Sequence, residues 1–394
     1  MKVLIISHKP PYPIIDGGCH AMDRMLRDFL ISFPDSEIKY MSIATEKHPG
    51  KEKSAPPELV NQVEFTESKI STKINPFLAF IHLFSRKSYH ISRFKSSSFK
   101  EAIYSVFRKH TFDIVLFESI FSAGYIDEIK TMTNAKVIYR AHNIEHKIWE
   151  DLSEGESNPI KKWYLKDLSK TLKTFEIRFL QKVDLIYSIS TVDQQFFQEF
   201  TQTECTYIPV SMRAQNKEVP IGNSLCFLGA FNWKPNKEGI MWFANHIFDE
   251  LQELFPDLRL EIAGSFSEEI KALSNRKNVK LHGFVESSMD FIQNNGIFIA
   301  PLLSGSGVKM KVLEAMSLGV PCVLSSKASE GLDLPPIIPI CRNKKEFIEK
   351  LSLLLNDIEL KNKIGKAGKE FIRRDFSSEL VSQRILRSIQ LERN

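Results

Sequence analysis

The stretch from Ile297 to Leu332, IFIAPLLSGSGVKMKVLEAMSLGVPCVLSSKASEGL, constrains the fold more than any other part of the chain. Its order is strand, glycine loop, helix, strand. Ile297–Ala300 is a short apolar run, as a buried parallel strand requires. The loop Ser304-Gly305-Ser306-Gly307 is small enough for a ligand to approach the backbone. Apolar residues at helical spacing predict a helix over Val308–Leu318, with Gly319 at its end and Pro321 preventing its continuation. Cys322–Leu324 then reads as the next strand. Lys309 and Lys311 fall in the first helical turn, where the helix dipole is already positive and two further cations are unfavourable. An anion bound there would reverse that sign, so loop, helix N-terminus and lysines together suggest an anion cradle. Glu314, three residues after Lys311, is either half of an exposed ion pair or a carboxylate that accepts hydrogen bonds from ribose hydroxyls.

The same alternation runs through the whole chain. In the first half, strands are predicted at Val3–Ser7, Glu37–Ser42, Asp113–Phe117, Lys136–Arg140 and Asp184–Ser190. A polar, proline-bearing segment at 210–222 is the best linker, and the pattern restarts at Leu225–Leu228. Further strands follow at Leu258–Ala263, Val279–His282, Ile297–Ala300, Pro321–Leu324 and Ile338–Cys341. Strand–helix alternation on both sides of a linker predicts an α/β chain of two doubly wound domains, 1–209 and 223–375. The terminal helix within 376–394 is free to pack back on the first domain.

The first strand leads into three prolines, then Asp16-Gly17-Gly18 and a helix. This is a second strand–glycine turn–helix, though it lacks the spacing of either the dinucleotide or the P-loop fingerprint. Past the Lys136–Arg140 strand comes Arg140-Ala141-His142-Asn143-Ile144-Glu145-His146. Polar groups just beyond the carboxyl end of a parallel strand sit where α/β folds hold ligands. The same residues spell H-x-x-E-H, a zinc-peptidase pattern that would need His142 and His146 on one helix, Glu145 beside them and a distant acidic ligand.

Net charge of +5 over 394 residues is too mild for a dedicated nucleic-acid binder. The five cysteines are scattered without metal spacing, as in a reduced cytoplasmic compartment. The apolar start is too short for a signal peptide, and Asn75–Phe84 is too short to span a bilayer. Residues 69–110 carry nine Lys/Arg against one acid, interleaved with aromatics. That composition suits either a solvated basic face or contact with an anionic membrane surface.

Three segments together resemble the GT-B-fold glycosyltransferases, in particular the large retaining family usually numbered four. They are PYPIIDGGCHAMDRM near the start, FLGAFNWKPNKEG after the linker, and GSGVKMKVLEAMSLGVPCVLSSKASEGL. The resemblance implies two Rossmann-like domains facing a cleft. It implies a nucleotide-sugar donor, a glycan or lipid-linked acceptor, retention of anomeric configuration and no metal cofactor. By the same resemblance Glu314 would bind the ribose. The backbone of Gly283-Phe284-Val285 would meet the base, while Gly305, Ser306 and Gly307 would approach the diphosphate and sugar. Gly17 and Gly18 would face the diphosphate. His142 would stand near the donor sugar, with Asn143 and Glu145 toward sugar or acceptor. Two positions depart from the family pattern: Ser306 replaces the first of two glutamates spaced eight apart, and Ala230 replaces an arginine. Counter-charge would then come from among Lys234, Lys237, Lys309 and Lys311, with Lys311 and Lys234 favoured because both sit beside a ligand loop. The role implied is surface-polysaccharide assembly, in the cytoplasm or on the inner face of the membrane. Competing classes are a nucleotide-sugar epimerase of the same fold, a binding module silenced at Ser306 and Ala230, and the zinc hydrolase.

Overall fold

The computed structural model describes residues 1–394 except 51–53, 74–81, 83–84, 216–221, 306 and 391–394. Ser306, most of the apolar window 75–84 and the middle of the predicted linker therefore lie outside the described residues. The chain divides into two compact units, Met1–Val210 with Val381–Asn394, and Ser211–Leu380.

In the first unit the described strands are β1 (Lys2–Ser7), β2 (Glu37–Ala44), β3 (Val63–Lys69), β4 (Ile114–Glu118), β5 (Lys136–Ala141), β6 (Leu185–Ser188) and β7 (Cys205–Tyr207). They form one parallel sheet in the order β3-β2-β1-β4-β5-β6-β7. A parallel sheet needs crossover helices and so is covered on both faces, which makes its strands apolar throughout. Side chains alternate between faces with period two. Leu4, Ile6, Val115, Phe117, Val137 and Tyr139 enter one core, while Val3, Ile5, Ile114, Leu116 and Ile138 enter the other. The helix Gly17–Ser32 seals the second core with Met25, Leu26 and Phe29. The C-terminal helix adds Val381, Ile385 and Ile389 to the same core, spaced one helical turn apart. Its Ser388 hydroxyl lies 2.8 Å from the Tyr187 hydroxyl.

Two strands, β3 and β7, escape the periodicity argument. β3 is an edge strand whose Glu64, Glu67 and Lys69 dilute its apolar pattern, and β7 has only three residues.

In the second unit the described strands are β8 (Ser224–Leu228), β9 (Arg259–Ala263), β10 (Val279–Leu281), β11 (Ile297–Ala300), β12 (Cys322–Ser325) and β13 (Ile340–Cys341). Their order is β10-β9-β8-β11-β12-β13, again parallel. The order reverses direction between β1 and β4 in the first sheet and between β8 and β11 in the second. At such a reversal the neighbouring crossovers leave on opposite faces, and a crevice opens beyond the carboxyl ends of the strands.

One correction concerns the helix after β11. It begins at Met310, not Val308, and Lys309 stands at its N-cap in extended conformation. The Lys309 ammonium donates to the carbonyl of Gly307 at 2.5 Å, which ties the residues before Met310 into the glycine loop.

The carboxyl edge of the second sheet is drawn together through Gly264. Its amide donates to the Gly283 carbonyl at 2.7 Å, and the Gly229 amide donates to Ala263 at 3.0 Å. Gly264 has φ 137°, and a Cβ there would lie 1.8 Å from the Gly229 carbonyl oxygen. Gly264→Ala therefore both strains the backbone and pushes the β8 and β9 loops apart. It is expected to cost about 3 kcal/mol or more and to lower the melting temperature by about 6–12 °C. An unchanged melting curve would refute this packing.

Candidate active site

In the second unit the reversal point is bounded by the loop after β8 and the helix Met310–Leu318 after β11. That helix has no side-chain cap and no acid in its first turn. Its first amides are left to solvent or ligand, and the dipole is unopposed. Lys311 stands in the first turn. Its ammonium donates to Asn236 Oδ1 at 2.6 Å and lies 4.1 Å from the centroid of the buried Phe227 ring. Asn236 Nδ2 in turn donates to the carbonyl of Ala230 at 2.9 Å. Lysine, asparagine and the Gly229–Ala230 turn are thus one connected unit. Burial, reinforced by the charge of Lys309, pulls Lys311 down to about 7 against the attraction of Glu314. Lys234 lies apart from this group, exposed and 3.5 Å from Glu238.

Glu314 lies one turn beyond Lys311 and is half-buried. Burial raises its carboxyl above the ordinary range, opposed by the Ser288 hydroxyl and by Lys311. Ser288 opens the short helix that follows the β10 loop, so Glu314 and that loop are neighbours. In the loop, Gly283 turns the chain at φ 68°, Phe284 is 85 % exposed and Val285 packs against the core. Gly305 adopts φ 102° against Pro235, and Gly307 is held by Lys309.

In the first unit the reversal point is lined by residues just past β1, β4 and β5. Glu118, the last residue of β4, is 1 % exposed. It accepts from Arg140 Nη1 at 3.3 Å and from His142 Nε2 at 2.6 Å. Burial alone would raise the Glu118 carboxyl, but Arg140 and His142 outweigh it and hold the group ionised. Burial holds His142 below the usual imidazole value despite Glu118. A carboxylate can only accept, so Nε2 carries the proton and Nδ1 of the neutral ring is left to accept one.

Gly17 and Gly18 open the helix Gly17–Ser32, but this N-terminus is already capped. Asp16 accepts from the Cys19 amide at 2.9 Å, from Lys9 Nζ at 2.6 Å and from His48 Nε2 at 2.9 Å. Burial would raise Asp16, yet His48 and Lys9 hold it far below the carboxylate range. The Lys9 ammonium passes so close over Gly18 that a Cβ would meet it at 2.5 Å. Lys9, not the bare helix end, brings positive charge to this turn.

The H-x-x-E-H residues do not share a helix. His142 precedes the helix Glu145–Glu154 and pairs with Glu118, whereas His146 is buried with Nδ1 2.6 Å from Glu176. Glu176, on the helix Pro159–Leu180, also accepts from the amides of Glu145 and His146 at 3.4 and 3.3 Å. It caps the neighbouring helix from the side. Glu145 accepts from Asn143 at 3.3 Å, and burial together with the Glu176 charge raises it to about 7. Among the described residues, Asp16, Cys19 and His48 are grouped closely enough to share an ion, but the Lys9 ammonium already occupies Asp16.

Sequence reasoning missed Lys9, Asp16, His48, Glu118, Glu176, Asn236 and Ser288. Lys9 and Glu118 carried a usable signal, since each sits at or just past the end of an apolar run. Glu176 carried none: it lies 31 residues after Glu145, on a different helix.

Residues 222–357 match the family described as glycosyl transferases group 1. The matched residues lie within the second unit. The chain has the GT-B fold of two Rossmann-like units, and that fold together with the match makes it a glycosyltransferase. It is 24 % identical to an uncharacterized 44.6 kDa protein in the cps region of Klebsiella pneumoniae, over 84 % of each chain. It is similar in fold to the sucrose-phosphate synthase of Thermosynechococcus elongatus, at TM-score 0.71 and 13 % identity over 100 % of this chain and 98 % of the other. Anabaena HepE in complex with UDP-glucose is similar at TM-score 0.67 and 12 % identity over 99 % of both. The apo lipopolysaccharide outer core galactosyltransferase WaaB is similar at 0.61 and 15 % identity over 100 % of both.

The depressed Lys311 has a consequence for this glycosyltransferase without ligand. Between about 7, where the folded site releases its proton, and 10.5, where the unfolded chain does, the unfolded state holds more protons. The contribution of Lys311 to stability therefore rises with pH across that window. Lys311→Met is expected to flatten that rise in melting temperature. A wild-type slope in the variant would show that Lys311 is not desolvated.

Proposed function

We propose that this glycosyltransferase moves a sugar from a nucleoside-diphosphate donor to a glycan or lipid-linked acceptor in the assembly of a cell-surface polysaccharide. The reading includes retention at the anomeric carbon and no required metal. The observation that carries it is the uncapped Met310 helix with Lys311, Lys309 and Glu314 around it. That arrangement offers amides and cations to a diphosphate and a carboxylate to ribose hydroxyls. UDP is the first nucleotide to try, because the HepE structures are complexes with UDP, UDP and glucose, and UDP-glucose. The cps-region relative supports a capsule-type product.

In the transfer, the bond from the anomeric carbon to the diphosphate oxygen breaks and one to the acceptor oxygen forms. The acceptor proton passes to a base. Negative charge grows on the leaving phosphate and positive charge on the sugar. Lys311, Lys309 and the helix N-terminus answer the first. His142, neutral with Nδ1 open, and Glu145 are assigned to the sugar or acceptor side, and Glu145, raised to about 7, is suited to exchange protons there.

The test is a calorimetric titration with UDP, GDP, ADP, TDP and CMP, with and without EDTA. One diphosphate is expected to bind selectively and independently of chelator. Glu314→Ala and Lys311→Ala should each weaken it by about 1–3 kcal/mol, and wild-type affinity in both would overturn the donor assignment. An arriving diphosphate favours the charged form of Lys311, so binding at about pH 8 should take up a proton. That uptake should be visible in buffers of different ionisation heat and be lost in Lys311→Met. His142→Ala should lower turnover more than nucleotide affinity, and unchanged turnover would remove it from the reaction.

A further inference from the structure

None of the described aromatics in the basic segment 69–110 is fully exposed; they are buried or half-buried. Phe99 is fully buried with its ring centroid 5.2 Å from that of Tyr125, and Phe107 lies 5.4 Å from Phe112. Phe94 packs against the same core. Tyr89 is buried too, under the helix Pro159–Leu180, where it meets Tyr164, Leu165 and Leu168.

The first turns of that helix have an opposite face that no described residue of the first unit covers. Ile160 is 77 % exposed and Trp163 is 60 % exposed. They are the two most exposed large apolar side chains among the described residues of this unit. At i and i+3 they project from one side of the helix. Lys161, Lys162, Lys166 and Lys170 are exposed around them, and Asp167 is the one acid between Pro159 and Lys173. Lys161 is engaged by Glu156 at 2.5 Å, and Lys162, whose ammonium reaches only the Glu154 carbonyl at 3.5 Å, forms the basic rim with Lys166 and Lys170. Arg86 and Lys87, also exposed, lie three and two residues ahead of the Tyr89 on which this helix rests.

We infer that the tip of the Pro159–Leu180 helix is a docking surface for an anionic lipid bilayer, with Trp163 and Ile160 entering the interface and the lysines meeting headgroups. Tryptophan combines a large apolar body with a polar N–H and settles where hydrocarbon meets water. Each lysine near a negatively charged surface adds to the attraction, and salt screens it. A second copy of this chain fits the patch poorly, because a two-fold contact would bring both lysine rims together. The inference rests on the proposed transfer only for its purpose, which is to hold the enzyme where a lipid-linked acceptor lies.

The experiment is co-sedimentation with phosphatidylcholine vesicles, with and without phosphatidylglycerol, read alongside tryptophan fluorescence. Wild-type protein is expected to bind the anionic vesicles, with a blue shift, and to be released by salt. Ile160→Ser with Trp163→Ser, and separately Lys162→Glu with Lys166→Glu, should each lower vesicle affinity by about tenfold or more. Both should keep the wild-type melting temperature and nucleotide affinity. Vesicle binding that both double variants retain would overturn this surface while leaving membrane association in place. No wild-type binding to either vesicle would overturn it outright. A self-association lost in the Trp163 variant would assign the patch to a second copy and overturn it as well. Failure of the transfer reading would appear elsewhere, as an absence of nucleotide binding in the wild type.

Discussion

Everything distinctive here follows from burying two parallel sheets on both faces. Strands such as Val3–Ile6 and Ile114–Phe117 give both rows of side chains to cores, so they have no surface left on which to mount chemistry. Polar groups are pushed to the ends of the strands. Because the strand order reverses between β1 and β4, and again between β8 and β11, crossovers diverge there and leave the carboxyl edge open. Glu118, His142, Lys9 and Lys311 all belong to that edge.

The two edges handle charge differently. In the second unit the helix N-terminus is left uncapped and a lysine is held beside it on an aromatic face and an asparagine. Without a ligand this is costly, and Lys311 falls to about 7. In the first unit the corresponding helix is capped by its own aspartate, whose charge is met by Lys9 and His48. The first arrangement gains from an arriving anion and the second is already balanced. This contrast supports nucleotide binding on the second unit. The first unit instead offers Glu145 and His142, whose protonation is set by burial and by neighbouring carboxylates.

Much of the fold was legible because strand burial and helix amphipathicity leave periodic marks. The strands β1, β4, β8 and β11 were each visible as apolar runs, and Gly319 followed by Pro321 marked the end of the Met310 helix. β3 was not visible, because an edge strand need not be apolar on both faces. The site was legible where a residue's place follows from its own strand. His142 and Glu145 lie past β5, Lys311 and Glu314 past β11. The rival zinc reading of the H-x-x-E-H string fails because spacing does not say where a helix begins, and here the helix starts only at Glu145.

By itself, then, the sequence determined the alternation of elements, the glycine loops, the charges near the β11 helix and the resemblance to a glycosyltransferase family. These are local properties, each carried by neighbouring residues in the chain. The tertiary structure alone decided which charges meet. Lys311 finds Asn236 from 75 residues away, Glu118 finds His142 across two strands, and Glu176 caps a helix that begins 31 residues earlier. It also decided that Phe99 and Phe107 turn inward while Trp163 turns out. Coulomb and desolvation energies depend on distances and burial that only packing creates, so no spacing in the chain could have announced them.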